Sequence, residues 1–145
     1  MSKAQTSLTQ TLQTRTFACV AVDEVVAVAS DFESASTPLL DVDEGALIRV
    51  TVNLDAAGKG DWPSGFYWSV RSNGHVSNEI GVTSVVYAAP EAWYGYSTTA
   101  FYKAGSKGKV SFNIISIAND LTGNGAIKAM VITAENLGVD IQPTE

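Results

Sequence analysis

Between Leu47 and Leu54 the chain alternates without a break. Ile48, Val50, Val52 and Leu54 fall on one face, and Arg49, Thr51 and Asn53 on the other. A period of two is the pattern of a strand with one buried face. Comparable short runs recur at Phe17 to Val22, Val25 to Ala29, Phe66 to Val70, Gly81 to Ala88, Tyr96 to Lys103, Lys109 to Ile117 and Ala126 to Ala134. Breaker-rich stretches divide them, among them Gly58-Lys59-Gly60-Asp61-Trp62-Pro63-Ser64-Gly65, Ala89-Pro90-Glu91, Gly105-Ser106-Lys107-Gly108 and Asn119-Asp120-Leu121-Thr122-Gly123-Asn124-Gly125. Turn signals every dozen residues or so, with no helical period sustained over about three turns, predict an all-β chain. The expected fold is a single antiparallel β-sandwich, jelly-roll or Ig-like. A chain of 145 residues without an internal repeat is expected to hold one domain.

Some local choices stay open at this level. Asp23-Glu24 divides two apolar runs, which reads either as two strands joined by a tight turn or as one strand bent there. In Lys109 to Ile117, Val110, Phe112 and Ile114 share a face opposite Ser111 and Asn113, the pattern of a half-buried strand. The lone cysteine, Cys19, lies in Phe17-Ala18-Cys19-Val20-Ala21, which predicts a buried thiol in a strand and rules out an intrachain disulfide framework.

Residues 1–16 differ from everything that follows. Lys3 and Arg15 are their only charged side chains, and Leu8 and Leu12 stand isolated among Gln, Thr and Ser. The i, i+4 spacing of the leucines permits one helical turn, but the abundant threonines favour an extended arm. The chain therefore divides into a polar N-terminal arm, 1–16, and a β-sandwich domain, 17–145. A compact β-domain with an arm is a common plan for subunits that bind other subunits.

Several function classes are disfavoured by inventory. Charged residues make up 17% of the chain and hydrophobic ones 46%, so Ser, Thr, Asn and Gly must complete the surface. A net charge of -6 is the wrong sign for binding a phosphate backbone, so no nucleic-acid partner is expected. Neither a signal-peptide core nor an apolar run of about 18 residues occurs, which predicts synthesis in the cytoplasm and no membrane partner. Asp41-Val42-Asp43-Glu44-Gly45 resembles the start of a calcium loop but lacks the later ligands, so an acidic turn is expected there and no metal. The single histidine, His75, sits in a turn-like stretch, and no nucleophile elbow, phosphate loop or dinucleotide fingerprint is present. Carboxylates distant in sequence can still converge for glycoside hydrolysis. The expectation is nevertheless a protein without catalytic residues or cofactor.

What is left points to binding. Trp62 in a Gly-rich loop, and Trp93 and Tyr94 after Pro90, lie where no strand obliges burial. Such rings plug the ends of a sandwich, anchor a subunit interface or stack on sugar rings. Lys103, Lys107 and Lys109 make a basic patch far along the chain from the acidic stretch Asp23 to Glu44. Opposite patches favour head-to-tail contacts between copies, whereas a solvated hairpin tip with edge-protecting lysines would do nothing of the kind. With Leu8 and Leu12 of the arm, these residues are the interface or ligand-binding candidates.

In general character the chain resembles the small virion proteins of tailed bacteriophages: acidic, Thr/Ala/Val/Gly-rich, almost free of cysteine and carrying a polar arm. No motif is shared residue for residue. The resemblance implies a structural subunit located in the virion, a capsid decoration or cement protein or a related head or tail protein. Its partners would be copies of itself and a larger assembly such as a capsid shell. The alternative is a carbohydrate-binding β-sandwich module whose loop aromatics Trp62, Trp93 and Tyr94 take a glycan.

Overall fold

The alternation at residues 47–54 is realised in full: Ile48, Val50, Val52 and Leu54 are buried, while Arg49 and Asn53 face solvent. A computed structural model describes residues 9–28, 32–58, 65–74, 78–87, 92–117 and 125–139. These form ten strands: β1 (Thr9–Gln13), β2 (Phe17–Val22), β3 (Val26–Val28), β4 (Leu40–Val42), β5 (Leu47–Gly58), β6 (Gly65–Gly74), β7 (Asn78–Tyr87), β8 (Tyr94–Lys103), β9 (Gly108–Ile117) and β10 (Gly125–Gly138). Every pairing between them is antiparallel. The larger sheet runs β1-β2-β10-β5-β8 with β3 also beside β10, and the smaller runs β4-β9-β6-β7. Counting β2 and β3 as one interrupted strand, the chain passes between the sheets in the double Greek-key order of a jelly roll. The expected antiparallel sandwich is therefore the fold.

Asp23 to Val25 interrupt a single strand, because β2 and β3 both lie antiparallel to β10. Opposite that interruption β10 carries an irregularity of its own between Lys128 and Val131. The two breaks match.

One apolar cluster joins the layers. Trp68, Phe66 and Val70 of β6 and Val110, Phe112 and Ile114 of β9 meet Ile48, Val50, Val52, Ile127, Met130 and Ile132 of the larger sheet. Tyr102 and Phe112 meet edge to face at 5.6 Å between centroids, bridging the sheets. Burying side chains of this size contributes about 1.5–3 kcal/mol each. Gly125 is fixed by close approach, since a Cβ there would lie 2.5 Å from the Phe66 ring and 2.7 Å from the Ala57 carbonyl oxygen.

Two local expectations change. β9 is buried on both faces, with Ser111 and Asn113 as enclosed as the apolar residues. Residues 32–37 run alongside it, Ser34 N–H donating to the Ile114 carbonyl and Thr37 N–H to that of Phe112. Ser34 and Thr37 return the bonds through their hydroxyls, which accept from the Ile114 and Phe112 amides. Cys19 lies in β2 as expected but points to the outer side and is half-buried, with burial pushing its thiol pKa up. The boundary expected at residue 16 falls in the connection between β1 and β2, and residues 9–13 of the arm are the outermost strand of the larger sheet. All five β1 side chains remain exposed. Backbone hydrogen bonds rather than burial hold them. Among the described residues no helix is long and apolar enough to cross a membrane.

Candidate functional site

The irregularity in β10 is the point from which a site can be built. Ala129 there has φ +53°, the one described non-glycine residue in the left-handed region. For an L-residue that conformation costs about 1–2 kcal/mol, and it persists only where surrounding structure fixes it. Its neighbour Lys128 lies across from Asp55 of β5, and Asp55 lies across from Gly95 of β8. One step along, Asn53 pairs with Ser97. Strand alternation explains why these polar residues share the outer face, since Val52, Leu54 and Ala56 between them are buried.

The result is a shallow depression of about 310 Å³ lined chiefly by Asn53, Asp55, Gly95, Tyr96, Ser97 and Ala129. Gly95 keeps its floor low, and a Cβ there would touch Asp55 Oδ1 at 3.5 Å. At its margin the Lys128 ammonium sits 4.3 Å from the centroid of the Trp93 ring. Tyr94 opens β8 with its ring mostly exposed, and Tyr96 is partly buried on the same side of the strand. Burial pushes the Tyr96 phenol pKa up, and the neighbouring Tyr94 adds to the shift. Hence the Tyr96 phenol stays protonated and serves as donor and acceptor.

Chemically the corner combines a carboxylate, an amide, a hydroxyl, an ammonium and aromatic rings. Such a set can hydrogen-bond hydroxyl groups in both directions and pack apolar C–H surface on a ring. Among the described residues its carboxylate is that of Asp55. Among the described residues no group of three or more His, Cys, Asp or Glu could hold a metal ion.

A larger cavity, about 860 Å³, lies at the other end of the sandwich between the β1–β2 turn, β4, the β8–β9 turn and Asn136 of β10. Two of its charged side chains, Asp41 and Lys109, pair with each other. Lys109 Nζ reaches Asp41 Oδ1 at 2.7 Å, because β4 and β9 place these residues directly opposite. Asn136 donates through Nδ2 to the Asp41 carbonyl and accepts at Oδ1 from the Gly138 amide. Asp41 of the acidic stretch and Lys109 of the basic patch, far apart along the chain, thus pair within one chain rather than between copies.

Of the sequence candidates, the structure brings Trp93 to the corner through Lys128, while Tyr94 shares the core-facing side of β8 with Tyr96. Leu12 is exposed on β1, at the opposite edge of the larger sheet. Lys103 and Lys107 are exposed near the charged end, and Lys109 is in its ion pair. Leu8 and Trp62 lie outside the described residues. Sequence reasoning missed Asn53, Asp55, Lys128 and Ala129. One signal was available for the last two: Ile127 and Met130 are three apart, out of phase with Met130, Ile132 and Ala134, as a bulged strand requires.

No family model matches the chain, and no curated protein matches it either. Similar solved structures include a sugar-binding protein, the EclA C-terminal domain (16% identity, 77% of this chain and 79% of that one, TM-score 0.45). The CBM22-1 xylan-binding domain of Paenibacillus barcinonensis Xyn10C is similar at 11% identity over 83% and 86%, TM-score 0.40. So is the Eiger TNF of S. frugiperda, at 11% over 90% and 99%, TM-score 0.47. At these values the likeness is one of architecture.

Proposed function

We propose that the chain is a non-enzymatic binding module and that its ligand is a carbohydrate, held at the corner of Trp93, Asp55, Asn53, Ser97 and Ala129. The observation that carries this reading is the coincidence at one place of a strained Ala129 backbone, an aromatic ring and unburied polar side chains. Residues held in such conformations cluster at ligand sites. Trp93 supplies the flat apolar surface, Asp55 and Asn53 read hydroxyls, and Gly95 leaves room for a ring to approach. A glycan array followed by calorimetry tests it. Binding that is lost in Trp93→Ala with the fold intact supports the reading, and a protein that binds no glycan class overturns it.

A second reading is favoured by β1. This is an uncharged edge strand, without proline or lysine, whose five side chains are all exposed, Leu12 at 57%. Edges of this kind accept a further strand unless protected. It fits a structural subunit of a virus particle, such as a capsid decoration protein, acting through many weak contacts. Copurification with a large particle, lost on substituting Leu12 by Lys, supports that reading, and a monomer that associates with nothing at high concentration contradicts it.

A further inference from the structure

Lys128 is the residue of the corner whose position the glycan reading leaves unused. It lies across from Asp55 in the β10–β5 register, where opposite charges are close neighbours. Among the described residues, however, its ammonium pairs with no carboxylate and rests on the Trp93 ring. The chain carries 15 acidic and 9 basic side chains, so carboxylates are not scarce. Arg49, Arg71 and Lys109 each take one. Lys128 is held by a ring face, on the very surface that a sugar would need.

Resting on the glycan reading above, we infer that the ligand is an acidic glycan, one bearing a carboxylate on the sugar ring. A cation over a partly exposed ring is held weakly enough to be exchanged for a hydrogen-bonded carboxylate of comparable strength. A uronate at the corner therefore draws the Lys128 ammonium off Trp93, pairs with it and lays its own C–H face on the vacated ring. The exchange replaces one contact of the ammonium by another, and the stacked sugar is the added gain. It leaves Asp55 and Asn53 to the hydroxyls. Asp55 repels an anion that binds in the reverse orientation, so it fixes which end of the sugar meets the lysine.

The test uses the full chain with two probes, an oligogalacturonate and its methyl-esterified, uncharged form, read by calorimetry and tryptophan fluorescence. The acid form is expected to bind up to about fivefold tighter, a preference weakened by salt as a single exposed charge contact should be. Lys128→Gln should abolish the difference between the two forms, and Lys107→Gln, at the other end of the molecule, should preserve it. Equal affinities for acid and ester, or a preference that survives Lys128→Gln, would overturn the inference and leave the glycan reading standing. Binding confined to neutral oligosaccharides would do the same. No binding by any glycan would sink both.

Discussion

Polar side chains gather at both ends of β10 and are used differently. Near Asn136 several of them tie the fold together: Asn136 joins the larger sheet to β4, its backbone amide donates to the Thr16 carbonyl at 2.8 Å, and Lys109 neutralises Asp41. Near Ala129 the polar groups close nothing. Asp55 and Lys128 face each other without pairing, and the backbone between Lys128 and Val131 is strained. The difference teaches that cavity size is a poor guide here. The larger hollow is a seam in the scaffold, whereas the smaller one collects groups that folding leaves over.

Substitutions sharpen that contrast. The largest expected effect is at Trp93: its change to Ala should cost about 2 kcal/mol of ligand binding, roughly thirtyfold in affinity, with little change in melting temperature. If the domain unfolds instead, Trp93 belongs to the core and the contrast fails. At the other end, Asn136→Ala removes two side-chain hydrogen bonds and should lower unfolding free energy by about 1 kcal/mol while leaving binding untouched. A binding defect there would show that the seam is a site.

Ala129→Gly probes the strain directly. Glycine adopts positive φ without steric penalty, so the substitution should stabilise the domain by about 0.5–1 kcal/mol in a denaturant titration. A loss of stability would mean that the Ala129 side chain contributes more than its backbone costs. The smallest effect is expected at Lys109→Ala. The pair with Asp41 is well exposed on both sides, so stability should fall by less than about 1 kcal/mol at low salt and less still in 1 M salt.

Much of the sandwich was legible because period-two alternation reports burial directly. Residues 47–54, the buried Phe66 and Trp68, and the split between exposed Phe101 and buried Tyr102 all follow from it. The acidic turn into β5 was legible in Asp41-Val42-Asp43-Glu44-Gly45 itself, and there Gly45 takes φ +86° and Ala46 N–H donates to the Asp43 carbonyl. What alternation cannot report is pairing between distant strands. Asp41 and Lys109 are 68 positions apart, and nothing local shows that β4 lies against β9. The same limit hid β1, whose residues join the sheet through the backbone while every side chain stays in solvent. It also hid the corner. Trp93 stood out as an aromatic, but Lys128 and Asp55 came beside it only through the order β10-β5-β8.

The central claim, that the Ala129 corner and not the charged seam receives a ligand, is tested most directly by following backbone amides by NMR during titration with an acidic oligosaccharide. The account predicts shifts concentrated at Asn53, Asp55, Gly95, Ser97, Lys128 and Ala129, together with the Trp93 indole, while Asn136, Gly108 and Lys109 stay still. Shifts centred on Asn136 and the β8–β9 turn, or none at saturating glycan, would contradict it.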